Sequence, residues 1–197
     1  YGTSFNNAFW NGQAVVYGSG TGSIQPLTTA DIAGHEFTHG LIQKTANLLY
    51  SGEPGTINEA ISDICGTALE FHINPAQANW ELGEQSGQVL RSLSDPEAHS
   101  QPACYHGNNW YYGTGDAGGV HINSGFLNKW FYFLSQGGQG TNEFGTPYQV
   151  AGIGIENSTA LVFHTLTAYI VPTSGFIAFR QFTLQSAIDL YGNCSPE

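Results

Sequence analysis

The chain has 197 residues, of which 41% are hydrophobic and 13% aromatic, enough for one substantial core or two small lobes flanking a cleft and far from the aromatic-poor profile of disordered chains. Four Lys and Arg against fifteen Asp and Glu leave a net charge of −11 with no basic cluster, which argues against nucleic acid or an anionic membrane as a partner and suits a secreted, extracellular protein rich in oxygen ligands for Ca²⁺. No apolar run reaches the roughly 18 residues of a membrane span. Three cysteines, Cys65, Cys104 and Cys194, cannot all pair within one chain, so either one thiol is free or a partner cysteine lies outside the sequence.

In chain order, residues 5–17 read as two short strands around an Asn11-Gly12 turn. The GSGTGS run at 18–23 has no Lys and no helix opening after it, so it reads as a flexible turn and not a nucleotide loop. From Thr28 the pattern becomes helical: Thr28 or Thr29 can cap, Asp31 sits in the first turn, and Ile32, Phe37, Leu41 and Ile42 supply apolar contacts. A second helix is predicted over about 57–73. Residues 74–119 are rich in Gly, Ser, Pro and Asn and read as ordered loops with short helical pieces. Three more helices follow, at about 122–136, 156–171 and 176–191, the last closed by Gly192.

The first helix carries HEFTH at 35–39. Residues four apart lie on one helical face, so His35 and His39 can grip one ion, while Glu36 falls beside the ion and is free to act as a base. An accidental HExxH has a chance on the order of one in a hundred, so a third ligand has to decide. The longer pattern HExxHxxGxxH fails, because Ile42 and Thr45 occupy its Gly and His places. Glu59 follows His39 by twenty residues, enough to finish one helix, turn and return alongside it, and Asp63 shares its face. A carboxylate such as Asp63 can accept the second ring N–H of a metal-bound His and fix its tautomer. Taken alone the two are surface carboxylates more often than not; joined to HExxH at this spacing, they favour a zinc site.

HEFTHG, NEAISD at 58–63, LRSLSDP at 90–96 and GGVHINSG at 118–125 occur in the order found in the thermolysin-like family of zinc metallopeptidases, which the chain resembles; NNAFWNG at 6–12 and AIDLYG at 187–192 extend the likeness over nearly its whole length. The resemblance implies an α+β fold, predominantly α-helical, in which residues 1–27 are the remnant of a β-rich lobe, 28–46 a zinc-binding helix between lobes and 47–197 a mainly helical lobe. It implies an endopeptidase acting on peptide or protein substrates before bulky apolar residues, with Zn²⁺ on His35, His39 and Glu59, and Glu36 as general base. His121 and Tyr50 match the groups that stabilise the oxyanion, and Asp116 matches the carboxylate that orients His121.

The same likeness assigns substrate binding to Asn7, Ala8 and Arg91, with Leu27, Ile32, Leu82 and Leu90 lining the apolar pocket; core packing competes for those four. Asp31, Glu70, Glu81 and Glu84 match calcium ligands, although Asn79 stands where the family has a further Asp, so at least one Ca²⁺ is expected. Family members carry a β-rich half before NNAFWNG and a helix after DLYG, so a further N-terminal segment or propeptide is an expected partner. An inactive or autolysed metal-binding fragment is the alternative. A zinc deaminase is excluded by the missing PCxxC, and a serine hydrolase is disfavoured by the missing GxSxG.

Overall fold

In the computed structural model, which describes residues 4–193, the expected hairpin forms from strands β1 (Ala8–Trp10) and β2 (Val15–Tyr17), paired Ala8 to Tyr17, Phe9 to Val16 and Trp10 to Val15. Its turn is wider than the two-residue connection predicted. Asn11 Oδ1 accepts the backbone N–H groups of Gln13 and Ala14 at 2.9 and 2.8 Å, closing a loop over residues 11–14 through its own side chain.

Helix α1 (Ala30–Lys44) starts close to where the pattern places it. Thr29 occupies the cap position with extended backbone, yet its hydroxyl makes no capping bond and is buried without a partner; the first turn relies instead on Asp31, whose Oδ1 accepts the Ile32 N–H at 2.8 Å. Helix α2 (Gly52–Ile73) begins at Gly52 and not near residue 57. Gly52, Glu53 and Pro54 form a first turn that carries no apolar periodicity, and Pro is tolerated there because first-turn N–H groups have no partner within the helix.

Crossing of α1 and α2 brings backbone against backbone. A Cβ added to Gly34 would stand 2.9 Å from the Gly66 Cα, and one added to Gly66 would stand 2.2 Å from the Asp31 carbonyl oxygen. Below this crossing lies the main core, with Ile42, Ile57, Ile61, Ile64, Leu93, Phe131, Val162 and Leu166 at its centre, each side chain contributing about 1.5–3 kcal/mol on burial. A smaller cluster of Ala8, Leu27, Ile32 and Leu82 fastens the hairpin to α1.

Residues 74–115 are the ordered loops expected, with a two-residue strand pair, β3 (Glu81–Leu82) and β4 (Arg91–Ser92), and 3₁₀ turns at Glu84–Ser86 and Pro96–His99. The helix predicted over 122–136 is two: α3 (Asp116–Asn123), whose first residues are left-handed, and α4 (Gly125–Gln136). A hairpin of β5 (Gly138–Thr141) and β6 (Pro147–Val150) was not anticipated, because β5 is exposed along its length and shows no apolar alternation. Helix α5 (Ile155–Ala168) stops short of residue 171, where Pro172 disfavours helical geometry at Val171. Helix α6 (Phe176–Tyr191) runs as predicted, with Gly192 at φ +85 beyond it.

Two contacts tie the α1–α2 connection and the first turn of α2 to the segment entering α6: the Leu49 N–H donates to the Pro172 carbonyl at 2.9 Å, and Glu53 Oε2 accepts the Phe176 N–H at 2.8 Å at the start of α6. Among the described residues no helix is long and apolar enough to cross a membrane. Cys65 and Cys104 are free thiols, and Cys194 lies outside the described residues. Burial pushes the Cys65 thiol up to about 11, against a smaller lowering by its hydrogen bond with Thr38. The raised value keeps the thiol neutral in the folded chain at pH 8, so a maleimide should label Cys65 at least about tenfold more slowly in the native state than in denaturant, read by mass spectrometry of the labelled peptide.

Candidate metal centre

Because α1 and α2 touch at Gly34 and Gly66, the His35–His39 face of one meets the Glu59–Asp63 face of the other. His35 Nδ1 stands 2.8 Å from Asp63 Oδ1, and His39 Nδ1 stands 2.7 Å from Asn58 Oδ1 and 3.2 Å from Ser62 Oγ. With both Nδ1 atoms so engaged, the two Nε2 atoms turn toward Glu59. They are 2.9 Å apart, and 3.6 Å (His35) and 3.4 Å (His39) from its carboxylate oxygens. The ligand atoms of His35, His39 and Glu59 all lie within 4.8 Å of one another.

That donor set fits a divalent cation. Two facing ring nitrogens and a fully buried carboxylate need a proton or a cation between them, and Glu59 Oε2 has no hydrogen-bond partner. Burial opposes charge on His35, but the hydrogen bond and charge of Asp63 outweigh it and raise the ring above its ordinary value. His39 is pushed down to about 4, by burial first and then by His35. Asp63 is fully buried yet held well below the usual carboxylate range, because Arg91 and His35 both favour its charge. Arg91 grips it with two bonds, Nε to Oδ2 at 2.8 Å and Nη2 to Oδ1 at 2.6 Å.

Glu36 lies on the cavity side of the cluster, and burial raises its carboxyl above the ordinary value against the opposing charge of His35 and a backbone hydrogen bond from Trp10. Across the cavity, the Tyr50 hydroxyl donates to Glu59 and stands 3.2 Å from His121 Nε2. The His121 ring places Nδ1 2.5 Å from Asp116 Oδ1, and its backbone N–H donates to Asp116 Oδ2 at 2.9 Å. This closed loop needs four left-handed residues in a row: Asp116 (φ +50), Ala117 (+51), Gly118 (+93) and Gly119 (+81). The two non-glycine positions each cost about 1–3 kcal/mol and persist because the surroundings over-determine them. The Gly115 carbonyl accepts N–H groups from both Gly118 and Gly119, at 2.9 and 3.0 Å.

Asn7, Ala8, Leu27, Ile32, Leu90 and Arg91 line the cavity, of about 600 Å³, together with Glu36, Tyr50 and His121. Leu82 does not: it is fully buried behind the wall with Ala8, Leu27 and Ile32, so core packing is its assignment. Of the four carboxylates matched to calcium, Asp31, Glu70 and Glu84 interact electrostatically, and burial with the Glu84 and Asp31 charges pushes Glu70 up to about 7. Glu81 is taken up elsewhere, with Oε1 accepting from Ser92 Oγ at 2.8 Å and Oε2 3.5 Å from His99 Nε2.

Sequence reasoning overlooked three polar side chains that hold this site. Asn58, which accepts from His39, sits inside NEAISD beside Glu59, so its place in the motif was a usable signal. Asn128, fully buried on α4, donates to Asp63 Oδ2 at 2.8 Å, and buried Gln101 donates to the His121 carbonyl at 2.7 Å. Nothing local marks either one.

Comparison with known proteins matches residues 1–43 to the family model described as thermolysin metallopeptidase, catalytic domain, and residues 46–197 to thermolysin metallopeptidase, alpha-helical domain. The whole chain is 44% identical over 205 residues to bacillolysin of Bacillus caldolyticus and to thermolysin of Alicyclobacillus acidocaldarius subsp. acidocaldarius, covering 36% of each. It is 42% identical over 204 residues to neutral protease B of Bacillus subtilis (strain 168), again covering 36%. The chain thus spans about a third of the length of the curated relatives it matches. Among solved structures it is similar to the precursor of protealysin, a metalloproteinase from Serratia proteamaculans, with a TM-score of 0.78 and 31% identity over 98% of this chain and 62% of that one.

The Asp63 contacts predict that Asp63→Asn, which cannot hold both the His35 N–H and Arg91 as an anion, weakens Zn²⁺ retention about 10- to 100-fold, measured by competition with a chromogenic chelator.

Proposed function

This chain belongs to the thermolysin metallopeptidase family, and we propose from that premise that it carries the active site of a secreted zinc endopeptidase cleaving peptide or protein substrates on the N-terminal side of bulky apolar residues. The observation that carries this reading is the His35–His39–Glu59 cluster with Glu36 beside it, opening on a cavity large enough for a peptide. Zn²⁺ held by these three side chains would supply Lewis acidity and lower the pKa of water toward neutrality. Every other part of the reaction rests on the chain's own groups.

Glu36 takes the proton of the attacking water at its carboxylate and gives it to the departing amine, a task its raised pKa favours. Tyr50 and His121, 3.2 Å apart at their functional atoms, donate to the oxyanion that develops on the scissile carbonyl, with Asp116 fixing the His121 ring. Arg91 spends two donors on Asp63 and keeps others of its guanidinium for a substrate carbonyl at the cavity wall. Leu27, Ile32 and Leu90 form the apolar pocket beside it, and Asn7 and Ala8 on β1 receive the substrate backbone as an added edge strand.

On this reading residues 1–27 belong to a β-rich lobe, 28–46 to the zinc helix between lobes and 47–197 to the helical lobe, with an N-terminal segment or propeptide as partner. One Ca²⁺ lies among Asp31, Glu70 and Glu84. The buried Oε2 atoms of Glu70 and Glu84 have no hydrogen-bond partners, and a cation there offsets the burial and mutual repulsion that together raise Glu70.

Replacing Glu36 by Gln should leave Zn²⁺ content unchanged while hydrolysis of a peptide with Leu after the scissile bond falls by about 10²–10⁴-fold, and chelation of zinc should abolish turnover in the unmodified protein. Retained hydrolysis in Glu36→Gln sinks the general-base assignment. Added Ca²⁺ should raise the thermal midpoint, and Glu70→Gln should remove most of that rise, followed by calorimetry with and without the cation.

A further inference from the structure

The two groups assigned to the oxyanion come from segments far apart in the chain, Tyr50 from the α1–α2 connection and His121 from α3. Their useful geometry requires that these segments move as one. A side-chain bond joins the residue next to Tyr50 to the left-handed turn that carries Asp116 and leads into His121: Ser51 Oγ donates to the Ala117 carbonyl at 3.1 Å. Ser51 stands at the cap position of α2, with the extended backbone a capping serine adopts, yet its side chain makes no capping bond. Its hydroxyl is spent across the site and not on its own helix.

The neighbouring backbone shows how close the two segments run. A Cβ added to Gly118 would stand 3.3 Å from the Gly52 nitrogen, and one added to Gly55 would stand 2.6 Å from Val120 Cγ1. Ala117 is the centre of the strained run, a non-glycine residue at φ +51, and its carbonyl is the group that Ser51 captures. On the other side, the Tyr50 segment is held by the Ser51 N–H to the Leu49 carbonyl at 2.9 Å and by Leu49 to Pro172.

We infer that Ser51 is a positioning residue: by holding the Ala117 carbonyl it keeps the Asp116–Gly119 turn in register with the Tyr50 segment, so that Tyr50 and His121 present their donors to one oxygen at the same time. The inference rests on the oxyanion roles given above. Ser51 touches no substrate and acts through Ala117. Its loss affects the transition state more than ground-state binding, because the oxyanion exists only in the former.

The test is Ser51→Ala beside Ser51→Thr, which restores the hydroxyl, in the zinc-loaded protein. Amide exchange of Gly118, Gly119 and His121 should accelerate about three- to tenfold in Ser51→Ala, as expected for one lost hydrogen bond, and return toward the parent rate in Ser51→Thr, while amides in α6 stay unchanged. In kinetics, kcat should fall by a similar factor with KM within about twofold, again restored by Thr. Unchanged exchange at those three amides overturns the inference whatever the activity. A raised KM with unchanged kcat overturns it as well, because it would place Ser51 in ground-state binding. A parent protein that hydrolyses no peptide overturns the proposed function, and the exchange measurement then decides the Ser51–Ala117 link alone.

Discussion

The close crossing of α1 and α2 is the constraint on which the rest of the structure depends. His35 and His39 form one i,i+4 pair, Glu59 and Asp63 another, and the four meet only because Gly34 and Gly66 let the two backbones touch. A side chain at either position would push the helices apart by more than a hydrogen bond tolerates. Such a concentration of buried polar groups is stable only when nearly every atom is matched. Asp63 is engaged on both oxygens, with partners on α1, β4 and α4, whereas Glu59 Oε2 has no hydrogen-bond partner. One carboxylate therefore fastens three elements to the helix that bears it.

Around this rigid pair the cavity is built from less regular pieces. Trp10 lies over Gly40, where an added Cβ would come within 3.0 Å of its ring, and this seats the first strand along the mouth of the cavity. The β3–β4 pair delivers Arg91 from one side, and the Tyr50 segment and α3 close the other. Regular helix thus supplies the three side chains that could hold a cation, whose spacing tolerates little error. Short strands, loops and the turn that opens α3 supply much of the wall around them, in keeping with the usual division between scaffold and surface.

What was legible in the sequence follows the same division. HEFTH and NEAISD could be read because helical geometry converts spacing into shared faces without knowledge of the remaining chain. His121 carries no comparable local mark, and only the ordered set of motifs singled it out. Gln101 and Asn128 were invisible, since a buried amide has meaning only through partners tens of residues away. Leu82 ends β3 and Leu90 directly precedes β4, with equal hydrophobicity, yet Leu82 is fully buried in the core and Leu90 lines the cavity, a distinction set by a register that no periodicity of two-residue strands can show. Glu81 is a further case: its charge was readable, but its capture by Ser92 and His99 was not.

The bond from the Phe176 N–H to Glu53 spans 123 residues, and the one from Leu49 to Pro172 reaches equally far. Both flank Tyr50. The histidines and Glu59 can find one another through a local pairing of consecutive helices, whereas the segment bearing Tyr50 acquires its final anchors only when α6 has arrived. During synthesis, at about 5–20 residues per second, that separation is a delay of several seconds or more. The His35–His39–Glu59 cluster and the groups opposite it are therefore completed at different moments in the life of the chain.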